Sequence, residues 1–112
     1  MHMQVITFKL DGIDDAAYQV HAEQNAPVFA ALPGLRAKIW LANQQANTYG
    51  GIYTWDDAAA MKAYQGGKIF QGLQANPHMI DVAVRDFSVL AGPTKITQIG
   101  RASCRERVLM PV

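Results

Sequence analysis

Cysteine is almost absent from this chain of 112 residues: the single one, Cys104, lies close to its C-terminal end. One thiol can form no intrachain disulfide and no zinc-type cysteine cluster. Long apolar runs are missing too, so no segment reads as a transmembrane span. The N-terminus lacks a basic stretch followed by an apolar one, so nothing marks it for secretion and the expectation is a cytoplasmic protein. An excess of charge of either sign is also lacking. With 10 Lys+Arg against 9 Asp+Glu and no basic stripe, the chain offers no electrostatic footprint for nucleic acid. No metal site is expected, because His21 has no second histidine or carboxylate at ligand spacing on its face. Gly50-Gly51 precedes neither a Lys-Ser/Thr pair nor a helix, so it is no phosphate loop. Ser88 sits in no nucleophile motif, which argues against a serine hydrolase.

What is present is enough apolar residue, half of the total, to build one domain with one core. Both ends look foreign. Met1-His2-Met3 reads as a cloning scar, since the NdeI site CATATG encodes His-Met. Ile99 to Val108, IGRASCRERV, is the translation of ATC GGA AGA GCG TCG TGT AGG GAA AGA GTG, a widely used short-read sequencing adapter. The expectation is a native domain over residues 4–98, a non-native tail over 99–112, and a gene assembled from environmental, metagenomic reads. Setting the tail aside takes Lys+Arg from 10 to 7 and Asp+Glu from 9 to 8, so the net charge passes from +1 to −1. Cys104 leaves with it.

Gln4–Leu10 is β-branched and aromatic and reads as a first strand. A helix follows, capped by Asp14 or Asp15 and running to about Leu32, where Pro33-Gly34 ends it. Pro27 inside it removes the bond to Glu23 and should bend it. Leu35–Ala42 alternates, with Leu35, Ala37, Ile39 and Leu41 on one face and Arg36, Lys38 and Trp40 on the other. Asn43–Asn47 is a polar hairpin loop and Thr48–Trp55 the returning strand. Asp56-Asp57 caps a second helix, AAAMKAYQ, and a turn around Ile69–Leu73 leads to a last strand over Met79–Leu90. The order β-α-β-β-α-β is ferredoxin-like: an antiparallel four-stranded sheet with two helices on one face. Both parities of the strands are apolar, as in Ile6 and Phe8 against Val5, or Val82 and Val84 against Ala83 and Phe87. The face without helices therefore needs a cover, and a second copy supplies it most simply.

Within this frame some polar residues stand where a core is expected. On a 100° helical wheel His21 and Asn25 fall inside the apolar arc of the first helix, one turn apart, beside Tyr18 and Phe29. A buried imidazole and carboxamide need partners: either backbone and water satisfy them, or they face a ligand. The strand TYGGIYTW places two glycines between Tyr49 and Tyr53. They remove a side chain from both faces at one level, which is either a β-bulge or a notch for a flat ring. Trp40, Tyr49, Tyr53 and Trp55 supply aromatic area with hydrogen-bonding tips. Arg85 interrupts the last strand and either pairs with an aspartate or holds an anionic oxygen. His78 follows Pro77 and reads as a surface loop residue.

PGLRAKIWL, then YGGIYTWDDAAAMKAY, then RDFSVLAGPTKIT resemble the YdhR-type monooxygenase family, relatives of the antibiotic-biosynthesis monooxygenases. The resemblance spans most of Gln4–Gln98 and is densest in Pro33–Tyr64, at Pro33, Gly34, Lys38, Trp40, Gly50, Gly51, Ile52, Tyr53 and Tyr64. It implies a ferredoxin-like protomer in a dimeric α/β-barrel. It also implies oxidation of small aromatic or polyketide-like compounds by O2 with no flavin, haem or metal. Carried onto these positions, His21 becomes the candidate base. Asn25, Tyr53 or Arg85 would bind the oxyanion, and Trp40 and Trp55 would enclose the ring. Two other functions fit the same scaffold: an isomerase, cyclase or dehydratase, and a non-catalytic dimer that binds a small ligand.

Overall fold

A computed structural model describes residues 1–98, so the tail expected to be non-native lies outside the described residues. The elements are β1 (His2–Leu10), α1 (Asp15–Ala30), β2 (Leu35–Asn43), β3 (Thr48–Trp55), α2 (Ala58–Gln65), α3 (Lys68–Ala75), β4 (Met79–Ser88) and α4 (Ala91–Thr97). The strands form one antiparallel sheet in the order β2-β3-β1-β4, the ferredoxin-like arrangement. His2 is an ordinary member of β1: it lies opposite Trp55 and Ser88, and its ring nitrogen meets Asp86 Oδ2 at 2.7 Å.

Local chemistry fixes the boundaries. Asp14 caps α1 by accepting from the Ala17 amide at 2.8 Å, and Asp57 caps α2 by accepting from Ala60 at 2.8 Å. The hairpin between β2 and β3 is closed by Asn47, in the left-handed region at φ 48°. Its side chain also accepts from the Leu10 amide and donates to the Leu10 carbonyl, fastening the hairpin to the end of β1. Two segments are more regular than their sequence suggests. The expected turn around Ile69–Leu73 is the helix α3, whose Phe70 is buried in the core while Ile69 and Leu73 pack at its edge. The segment after β4 is also helical, α4, and buries no residue.

The core lies between the sheet and the helices and holds Ile6, Phe8, Tyr18, Tyr53, Trp55 and Tyr64, with further apolar side chains around them. On β2, Ile39 is 60 % exposed, whereas Lys38 and Trp40 turn inward toward α1. The strand thus presents Lys38 and Trp40 to the helices and Ile39 to the open face, while Leu35 at its start packs against the core. On the open face, pairing aligns Ile39, Ile52, Val5 and Arg85 in one row, and Ala37, Thr54, Met3 and Phe87 in the next.

The glycine pair is not a bulge in the β1·β3 ladder, whose register runs unbroken from His2↔Trp55 to Phe8↔Tyr49. Gly50 has φ +148°, and a Cβ there would stand 1.9 Å from the Ile6 carbonyl oxygen. Glycine is what lets the two strands approach at this level.

Candidate active site

Between α1, α3 and the helix-covered side of the sheet lies a cavity of about 260 Å³. Its floor comes from β2 and β3 through Lys38, Trp40, Gly50 and Tyr53, and its walls from α1 and α3. Five residues expected at a site meet in it: His21, Asn25, Trp40, Gly50 and Tyr53. The other four do not. Tyr49 is buried beside it and donates its hydroxyl to Asp15 Oδ1 at 2.6 Å. Trp55 is completely buried, with its indole N–H spent on Gln4 Oε1 at 3.1 Å, so it is core and no wall for a ring. Gly51 stands behind the Lys38 stem. Arg85 is on the open face, its guanidinium 6.0 Å from the Phe87 ring, and the whole sheet separates it from the cavity.

The first helix is turned differently from the wheel-based expectation. Tyr18, Ala22, Asn25 and Phe29 face the sheet, while Val20 and Val28 are about half exposed. His21 is consequently exposed at the rim of the cavity rather than buried. Asn25 is half-buried. Its amide nitrogen donates to the His21 carbonyl at 2.8 Å and lies 3.4 Å from the imidazole Nδ1. The pair is one unit at the entrance, with the carboxamide holding the backbone turn that carries the histidine.

The residue that periodicity did not bring forward is Lys38. Its Nζ stands 3.4 Å from the ring centroid of Phe29, 3.4 Å from that of Trp40 and 4.7 Å from that of Tyr53. Among the described residues it has no carboxylate within ion-pair reach and no hydrogen-bond acceptor. A Cβ at Gly51 would lie 2.8 Å from Lys38 Cε, so the missing side chain of Gly51 is the space the lysine stem occupies. The notch expected to receive a ring receives the protein's own lysine. Burial pulls the Lys38 ammonium down to about 7. The faces of Phe29 and Trp40 oppose that loss, by about 0.5–2 kcal/mol each.

The tyrosines move the other way. Tyr53 and Tyr64 bring their hydroxyl oxygens to 3.4 Å from each other, and burial raises both well above the ordinary phenol range. Burial pushes Tyr18 up to about 12, and its neighbour Tyr49 adds to this. Tyr49 is also pushed up to about 12, first by its bond to Asp15 and then by burial. These phenols therefore stay protonated and can donate but not accept a proton at neutral pH. Proton-accepting capacity at the cavity rests with His21 and Lys38. Among the described residues no Asp or Glu lines it, and the remaining ionisable side chain there is the cation of Lys68. Among the described residues no group of His, Cys, Asp and Glu could hold a metal ion.

Sequence comparison assigns the chain to a family. The family model described as "Putative mono-oxygenase ydhR" matches residues 3–100. The chain belongs to the ydhR family. No curated protein matches it. Solved structures share its fold at low identity. One is NE2512, a protein of unknown function from Nitrosomonas europaea, at 20 % identity and TM-score 0.68, covering 80 % of this chain and 89 % of that one. Another is SnoaB, a cofactor-independent oxygenase from Streptomyces nogalater, at 20 % identity and TM-score 0.63, covering 80 % and 92 %. A third is the haem degrader MhuD of Mycobacterium tuberculosis, at 15 % identity and TM-score 0.65, covering 80 % and 96 %. At such identities the likeness establishes the fold of this ydhR-family chain and leaves its chemistry to its own residues.

The environment of Lys38 makes a prediction about stability. Between pH 7 and 10 a lysine in the unfolded chain keeps a proton that the folded Lys38 releases, so the unfolded state binds more protons. Folding stability then rises with pH across that window, and below pH 7 the cost of burying the charge is felt in full. Lys38→Met keeps the stem and removes the charge. It should raise stability at pH 7 by about 1 kcal/mol or more and flatten the rise toward pH 10 in urea melts. A variant less stable than wild type at pH 7 would show that the cation is compensated in the fold.

Proposed function

We propose that this ydhR-family chain is a cofactor-independent monooxygenase that oxidises a small aromatic or polyketide-like substrate with O2. The observation that carries this reading is the character of the cavity: aromatic faces, phenols that only donate, basic groups and, among the described residues, no carboxylate. Such a site favours an aromatic ring and stabilises the anion formed when that ring loses a proton. His21, exposed at the entrance, accepts the proton from an acidic hydroxyl or ring carbon of the substrate. The carbanion or phenolate is then the reductant for O2. For an anthrone the balance closes: one oxygen atom enters as the new carbonyl, the other leaves as water, and the two hydrogens of the methylene carbon go with it. Asn25 and Tyr53 would donate to the substrate oxyanion and Trp40 would pack on the ring. Arg85 and Trp55, placed away from the cavity, have no part in this scheme.

The same reading includes a cytoplasmic homodimer. No described helix is long and apolar enough to cross a membrane. The open sheet face carries Ile39 at 60 % and Phe87 at 49 % exposure, with Leu90 and Ile96 exposed beside and along α4. These are residues that a second sheet packed face to face would cover.

Oxygen uptake on a panel of anthrones and dihydroquinones, with chelator present and no cofactor added, tests the chemistry. Wild type should exceed the uncatalysed rate, and His21→Ala should lose about 100-fold of that excess. Uptake unchanged in the variant would discard His21 as the base. No uptake with any compound would favour an isomerase acting by enolisation, or a binding protein. For the assembly, sedimentation should give a dimer for wild type and a monomer for Ile39→Lys; a monomeric wild type contradicts the cover proposed for the open face.

A further inference from the structure

Lys38 is a half-buried cation without an anion. Its ammonium lies against Phe29 and Trp40, its stem fills the space left by Gly51, and none of its three N–H donors meets a protein acceptor among the described residues. Burying a lysine is costly, and the usual remedy is a carboxylate partner. Here none is supplied, although the strand could have carried an ordinary aliphatic residue at this inward position. The ionisable groups around it do not remedy this. From α1 come His21 and Tyr18, from β3 Tyr53, from α2 Tyr64 and from α3 Lys68; none of these is a carboxylate. On its own strand Arg36 points elsewhere, to Asp56 at 3.7 Å. Among the described residues no anion completes the site, and the place is open to a ligand.

We propose that Lys38 Nζ is an anion-binding group of the cavity, and that its ligands are planar aromatic molecules with an ionised oxygen on or beside the ring. The ring lies among the aromatic walls and the oxygen accepts from the lysine. Phenolates, enolates and aromatic carboxylates share this chemistry. The lysine also sets a pH range for recognition. Its ammonium predominates below about pH 7 and is the minor form above it in the unliganded protein, while a bound anion favours the charged form and holds the proton to higher pH. The proposal rests on the reading of this cavity as the substrate site but requires no oxygen chemistry, so either can fail alone.

The test is equilibrium binding to the full chain of 2-naphthoate and 2-naphthamide, nearly isosteric probes that differ in charge. At pH 6.5 the carboxylate should bind at least tenfold more tightly than the amide. That preference should shrink above pH 8, vanish in Lys38→Met and persist in part in Lys38→Arg. Urea melts of each variant establish that it is folded. Equal affinity for the two probes, or no measurable affinity for either, overturns the proposal. So does a preference that survives in Lys38→Met or is lost with Lys68→Gln instead. A second arm uses 4-nitrophenol, whose ionised form is read from its visible absorbance. Enrichment of the bound phenolate in wild type and not in Lys38→Met assigns the site to phenolates as well as carboxylates; a carboxylate preference alone restricts it to aromatic acids.

Discussion

The arrangement of the cavity depends on two missing side chains. At Gly50 the β3 backbone comes so close to β1 that any Cβ would enter the Ile6 carbonyl, and at Gly51 the vacated volume is taken by the stem of Lys38. The first glycine lets the central ladder close without a shift of register, and the second lets a lysine lie flat inside an aromatic cluster. With Lys38 in place, Phe29 crosses Trp40 edge to face at 5.3 Å and lies tilted against Tyr53 at 6.1 Å, with the ammonium near all three rings. The floor of the cavity follows from this packing.

Much of the architecture is legible in the residues. The strand Thr48–Trp55 and the helix Ala58–Gln65 end where their aspartates and glycines say they should, because caps and breakers act locally. The segment Lys68–Ala75 is not legible in the same way. Gly67 provides no side-chain cap and Gly72 interrupts the pattern, so local preference favours a turn. Burial of Phe70 against Tyr64, ring centroids 5.6 Å apart, supplies through tertiary contact what propensity withholds. The first strand likewise starts at His2 rather than at Gln4, because pairing with β3 and β4 extends it.

The site was legible in part, for a physical reason that differs between residues. Alternation sorts β2 into two faces but does not say which one meets the helices, and a face with Arg36 and Lys38 looks like the solvated one. Only the packed structure shows that Lys38 is inside; the sequence signals for it were its shared parity with Trp40 and its place among the residues that carry the family resemblance. On α1 a broad apolar arc including Val20 and Val28 left the rotation of the helix undetermined, and the actual rotation moves His21 to the rim. Arg85 and Trp55 have the right chemistry for a site and the wrong address: one is on the far side of the sheet, and the other has its N–H satisfied by Gln4 in the core.

The cavity depends most directly on the space at Gly51, which holds Lys38 in its aromatic cage. Titration of the Lys38 amine by NMR, in wild type and in Gly51→Ala, measures this. A methyl group at 51 displaces Cε and returns the ammonium toward water, so its midpoint should move from about 7 toward the ordinary lysine range, while the β1·β3 ladder persists. An unchanged midpoint in Gly51→Ala, or a wild-type midpoint already above 10, would contradict the account.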